Sequence, residues 1–162
     1  MSLYTHTESV ETRQRQALEF HLKDITAEKG YKNTIRQVFN EYPSRAQITD
    51  WPAVAAIWGE ETVVNSDISD DLWHIELPLF LIGYVQDGHD MPIRKERLKL
   101  DLLKKFGVSW QLPGEDGVET CMLMSYKRGS RPGMKINNPE GVVVLEFLIQ
   151  YRPDINDPTV IG

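Results

Sequence analysis

Residues 72–85 read "LWHIELPLFLIGYV", and alternate members of this run fall into two sets. Trp73, Ile75, Leu77, Leu79, Leu81 and Val85 share one face of an extended chain, while His74, Glu76, Pro78, Phe80, Ile82 and Tyr84 share the other. The first set is wholly apolar. The second opens with polar residues and closes with Phe, Ile and Tyr, so the strand starts half-solvated and ends buried on both sides. A strand of this kind belongs inside a sheet, and the rest of the chain has to supply its neighbours and a covering layer.

Upstream, "DWPAVAAIWGEE" (50–61) supplies one neighbour, a strand over 53–64 at most with a bend at Gly59. Pro52 stands at its start, where a missing N–H does not interrupt a ladder. Ala53, Ala55 and Ala56 are small, which predicts close packing. The run barely alternates, so cover is expected on both faces: helices on one side, a neighbour or second layer on the other. Glu60 and Glu61 would stay in solvent at its exit. "TIRQVFNEY" (34–42) alternates and reads as a more exposed strand. Downstream, strands are expected over 118–126 and 142–151. The last of these sets Val143, Leu145, Phe147, Ile149 and Tyr151 against Glu146, Gln150 and Arg152.

Two helices cover this sheet. Over 7–28, Val10, Gln14, Ala17, Leu18, His21, Leu22 and Ile25 make one stripe, ended by Gly30. Over 92–106, Pro92 suits the first turn, and Ile93, Leu98, Leu102 and Phe106, with Leu103, form the apolar stripe. Gly107 closes it. The order α-β-β-β-α-β-β predicts an α+β two-layer sandwich, a mostly antiparallel sheet with two helices packed on it. One domain is expected over 1–162, with an extended segment at 153–162. Loops are expected at 43–49, 86–91, 113–117 and 130–140.

The chain has 162 residues, a net charge of −6 and one cysteine, Cys121. An internal disulfide is therefore impossible, and an acidic chain is a poor binder of phosphate backbones. The basic run at 94–105 reads as the solvated face of its helix. No basic-then-apolar leader opens the sequence, and the apolar runs are too short to span a bilayer. A soluble cytoplasmic protein without a membrane partner is expected.

Catalytic patterns are scarce. "GSRPGMK" (129–135) lacks phosphate-loop spacing, and His6, His21, His74 and His89 show no ligand spacing. His21 reads as a core histidine, His74 as an exposed strand position, and Cys121 as a small hydrophobe. An enzyme using Glu60, Glu61, Asp67, Asp70 and Asp71 with a divalent cation is the weaker alternative. The expectation is no catalytic residue, no metal and no cofactor.

The element order, the strand that opens on Pro52 after Trp51 and leaves through Gly59-Glu60-Glu61, and the closing Tyr151-Arg152 pair resemble tail terminator and tail completion proteins of tailed bacteriophages. The lambda minor tail protein U group is the nearest in pattern, over roughly residues 8–153. The resemblance implies a structural protein of a virion or prophage, found in the virion tail and in the host cytoplasm during assembly. It implies a homo-oligomeric ring, a hexamer in the usual form, that caps the head-proximal end of the tail tube and stops its growth. Its partners would be copies of itself, the tail tube protein and a head-completion protein, with DNA passing through the bore without specific binding. Another neck component is the nearest alternative. Candidate contacts with the tube or the next subunit are Trp58, Phe80, Tyr84, Arg131, Lys135 and Arg152. Glu60, Glu61, Asp70 and Asp71 are candidates for an acidic bore that repels DNA.

Overall fold

The computed structural model describes residues 9–65, 74–129 and 141–152. Along the chain come α1 (Val10–Lys23), a 3-10 turn (Ala27–Lys29), β1 (Gln37–Phe39), a second 3-10 turn (Arg45–Gln47) and β2 (Ala53–Trp58). Then follow β3 (Thr62–Asn65), β4 (His74–Tyr84), α2 (Met91–Phe106), β5 (Leu123–Gly129) and β6 (Val142–Tyr151). Among the described residues six strands make one sheet in the order β1-β2-β4-β6-β5, with β3 also pairing β4. Every pairing is antiparallel except β1 with β2. Both helices bury their stripes in one cluster with Leu77, Leu79 and Leu81 of β4 and Val143, Leu145, Phe147 and Ile149 of β6. The fold is the expected α+β arrangement of two helices on a mostly antiparallel sheet.

The helix stripes follow the 3.6-residue period. All seven residues of the α1 stripe are buried, Ile25 lying just past the helix end. Ser9 caps the helix, its Oγ accepting from the Thr12 N–H at 3.2 Å, a contact worth about 1 kcal/mol. The helix ends at Lys23 rather than running to residue 28. Gly30, at φ 91°, closes the following 3-10 turn instead. Asp24 accepts from Lys29 and Lys105 at this junction, and those bonds hold its carboxyl down to about 2. On α2, Leu98, Leu102 and Phe106 are fully buried, each contributing about 1.5–3 kcal/mol. Ile93 is exposed, contrary to expectation: it stands five residues before Leu98, well around the helix from the buried stripe, whereas Met91 packs on the core. Gly83 of β4 lets α2 approach: a Cβ there would stand 2.6 Å from Leu98 Cδ2.

The expected strand over 53–64 is two strands on the same edge of β4. Trp58 pairs with Leu79, but Thr62 pairs with Glu76, so the chain gains a residue in crossing Pro78. Gly59 sits at that crossing, donating its N–H to the Pro78 carbonyl at 2.8 Å, and a Cβ on it would come within 3.0 Å of Pro78 Cβ. Past the break, Val63 and Val64 are exposed. β1 keeps only three of its expected residues. β5 starts at Leu123, not 118, because 118–122 belongs to an irregular strap over 107–122. That strap is tied down by a Trp110–Met124 bridge, by Gln14 Nε2 donating to the Thr120 carbonyl, and by His21 Nε2 against the Pro113 carbonyl. Cys121 is buried in the strap, and burial pushes its thiol up to about 12.

Candidate functional site

Strand register sorts the sheet into two faces. Opposite the helix-covered face lie the even residues of β4, and their partners align with them in rows. Phe39, Ala55, Ile82 and Val144 form one row, and Ile57, Phe80, Glu146 and Arg128 form the next. Pro78, Leu148 and Ser125 follow, then Glu76, Gln150 and Leu123. Ile57, Pro78, Phe80, Val144 and Leu148 are half-buried, and no described helix lies over them. Glu146, ion-paired with Arg128 of β5, stands among them between Val144 and Leu148, and a Gln150–Glu76 hydrogen bond of 3.1 Å lies at one end. An apolar patch crossed by one ion pair and bordered by an amide–carboxylate bond has the mixed composition of a protein contact surface.

One end of this face is closed by the chain itself. Ile48, Ala53, Ala55 and Ile82 are buried yet lie outside the main core cluster. The Gln37 side chain holds the 44–50 segment there, donating to the Gln47 carbonyl and accepting from the Thr49 and Asp50 N–H groups. At the start of β2, then, this loop supplies a second layer, one of the two covers expected for the 53–64 run. Tyr84 borders it half-buried, and desolvation together with Tyr42 raises its phenol pKa.

Trp58 lies on the other face. Its register partner is Leu79, and it packs partly buried against the core. Beside it is a cavity of about 160 Å³ lined by Glu11, Gln14, Arg15, Trp58 and Glu61 among others. The buried Tyr151 hydroxyl lies 3.2 Å from Glu11 Oε1 and 3.1 Å from Glu61 Oε2. Burial first, then the two carboxylates, raises the Tyr151 phenol far above its ordinary value. Gln14 is fully buried with its Oε1 unpartnered, and the Trp58 Nε1 is buried and unpartnered as well. Glu61 was expected to be simply solvent-facing; it is exposed as a residue but holds Tyr151. The sequence marks Tyr151 as a strand residue and as part of the closing Tyr151-Arg152 pair, but neither it nor Glu11 is expected there at a site. The signal available was that β6 periodicity carries a tyrosine into the core, where its hydroxyl needs a partner.

Glu60 is exposed, as expected, and Arg152 is half-buried just past β6. His74, expected to be exposed, is half-buried. Arg131, Lys135, Asp67, Asp70, Asp71 and the 153–162 segment lie outside the described residues. Among the described residues, no group of three or more His, Cys, Asp and Glu side chains gathers with metal-binding geometry, and no helix is long and apolar enough to cross a membrane. Compared with protein-family models and with curated proteins, the chain matches none.

Proposed function

We propose that this chain is a structural subunit of a phage or prophage tail that assembles into a ring, caps the head-proximal end of the tail tube and ends its polymerisation. The observation carrying this reading is the one-sided layering. Both described helices serve one face of the sheet, and the other keeps half-buried Ile57, Pro78, Phe80, Val144 and Leu148 around the Glu146–Arg128 pair. A ring subunit needs such a surface, since head-to-tail contacts between copies close when the rotation allows. The resemblance of element order to tail terminators gives the surface its partners: a second copy, the tail tube protein and a head-completion protein. Exposed Glu60, at the edge of the sheet, would add to a bore that does not retain DNA. Removing the coding sequence from the phage or prophage genome tests this reading. Electron microscopy of the lysate should then show tubes of variable, excessive length, restored to one length by supplying the protein in trans. Tubes of unaltered length in the deletion would refute the proposal.

A further inference from the structure

The strap over 107–122 is lightly held. Only Leu112, Thr120 and Cys121 of it are buried. Its polar ties run through the Trp110–Met124 backbone pair, the Met122 N–H on the Gln150 carbonyl, the Gln14 amide on the Thr120 carbonyl and His21 Nε2 on the Pro113 carbonyl. Leu112 holds φ 44°, a left-handed backbone that leucine rarely adopts, so the closed strap carries local strain. Beneath it His21 is shut in. Its Nε2 hydrogen is spent on Pro113 at 2.6 Å, and Nδ1 is buried without a partner. Trp110 of the strap lies 4.7 Å from the imidazole, ring centre to ring centre, and Phe20 of α1 lies 5.1 Å from it. Burial is the first obstacle to an imidazolium here; the Pro113 carbonyl favours one, Lys105 of α2 opposes it and Asp24 at the end of α1 favours it. Asp24 already accepts from Lys29 and Lys105, and Glu115, Asp116 and Glu119 of the strap are exposed. A proton can add only at Nδ1, and water reaches that atom only when a covering element moves. α1 is pinned in the core by Val10, Ala17, Leu18 and Leu22, the strap by Leu112 and Cys121. The strap is the element that yields.

We propose that residues 107–122 are an acid-opened strap: a proton taken up at His21 Nδ1 holds the segment away from α1 and from the start of β5 while the sheet stays folded. The proton comes from solvent, and the open form lets the imidazolium keep the hydration that the closed strap denies it. Opening bares Cys121, the Gln14 and His21 side of α1, and the Met124 main chain. Met124 then offers an unpaired strand edge, so pH governs access to a pairing surface. This holds whether or not the chain caps a tail tube.

Cys121 is the only cysteine, so its modification reports opening without an added label. Labelling by a dipyridyl disulfide is followed from pH 7 to pH 5. Each rate is divided by that of the urea-unfolded protein at the same pH, which removes the thiol's own ionisation. The ratio should rise as pH falls, by no more than about tenfold per pH unit, the limit for one proton. Hydrogen-exchange protection of β4 and β6 should persist at pH 5. His21→Gln keeps an N–H for Pro113 and should make the ratio independent of pH. A chain carrying His6→Gln, His74→Gln and His89→Gln should keep the rise, with a midpoint that matches the ring titration of the remaining His21 by NMR. A ratio that stays flat or falls with acid in the parent overturns the proposal. So does a rise that survives His21→Gln, a midpoint that departs from that of His21, or loss of protection in β4 and β6 in step with labelling.

Discussion

At the scale of single residues, buried polar atoms carry the information that composition hides. His21 lies on the apolar stripe of α1 with its ring edge-on to Trp110 at 4.7 Å. Its Nε2 meets the Pro113 carbonyl at 2.6 Å, so Nε2 bears the hydrogen, while Nδ1 is buried without a partner. Desolvation lowers the pKa of His21 below 6.5, with the Pro113 contact opposing it more weakly. The unfolded chain therefore binds the proton more readily than the folded one. The contribution of a neutral His21 to stability is complete above about pH 6.5 and is lost as pH falls through the lower folded value. Urea midpoints should drop between pH 7 and pH 5, and the drop should shrink in His21→Gln; equal drops in both proteins would contradict this. The core position of His21 could be read from the helical period. Its partner could not, because Pro113 is 92 residues away and no local pattern links them.

Among the elements, periodicity marked the parts that pack on themselves, and it failed where a neighbour sets the outcome. The stripes of α1 and α2 and the alternation of β4 and β6 repeat with the geometry of one helix or one strand. The division of 53–64 into β2 and β3 depends on Pro78 of another strand, and the 107–122 strap depends on Gln14 of α1. A similar long-range tie joins the 31–36 loop to α2. Buried Asp101 accepts the Lys32 and Asn33 backbone N–H groups at 2.8 and 2.7 Å, and Asn33 Nδ2 at 2.9 Å. Asp101→Ala would strand two backbone donors and an amide, at about 2–4 kcal/mol in chemical denaturation. Hydrogen exchange at Lys32 and Asn33 should quicken with it. A loss below about 0.5 kcal/mol, the range of ordinary surface substitutions, would show that the loop holds without this carboxylate.

For the whole molecule, the decisive feature is that two helices cover one face of a sheet whose other face keeps an apolar centre. The half-buried even residues of β4 were visible in the sequence as a second, partly apolar set. Which of them the chain covers itself was not, because the cover at Ala53 and Ala55 comes from a loop held by Gln37. The Glu11–Tyr151–Glu61 cluster was equally hidden, its members lying 140 and 90 residues apart. The most direct test of the proposed role is the length of tail tubes assembled with Phe80→Asp, which sets a charge amid the apolar centre. The variant should keep the circular dichroism of the parent, since Phe80 is outside the helix-covered core. Electron micrographs should then show overlong tubes of scattered length, as a chain that cannot close its ring fails to stop the polymer. Tubes of a single native length from a folded Phe80→Asp protein would contradict the assignment of this face to ring assembly.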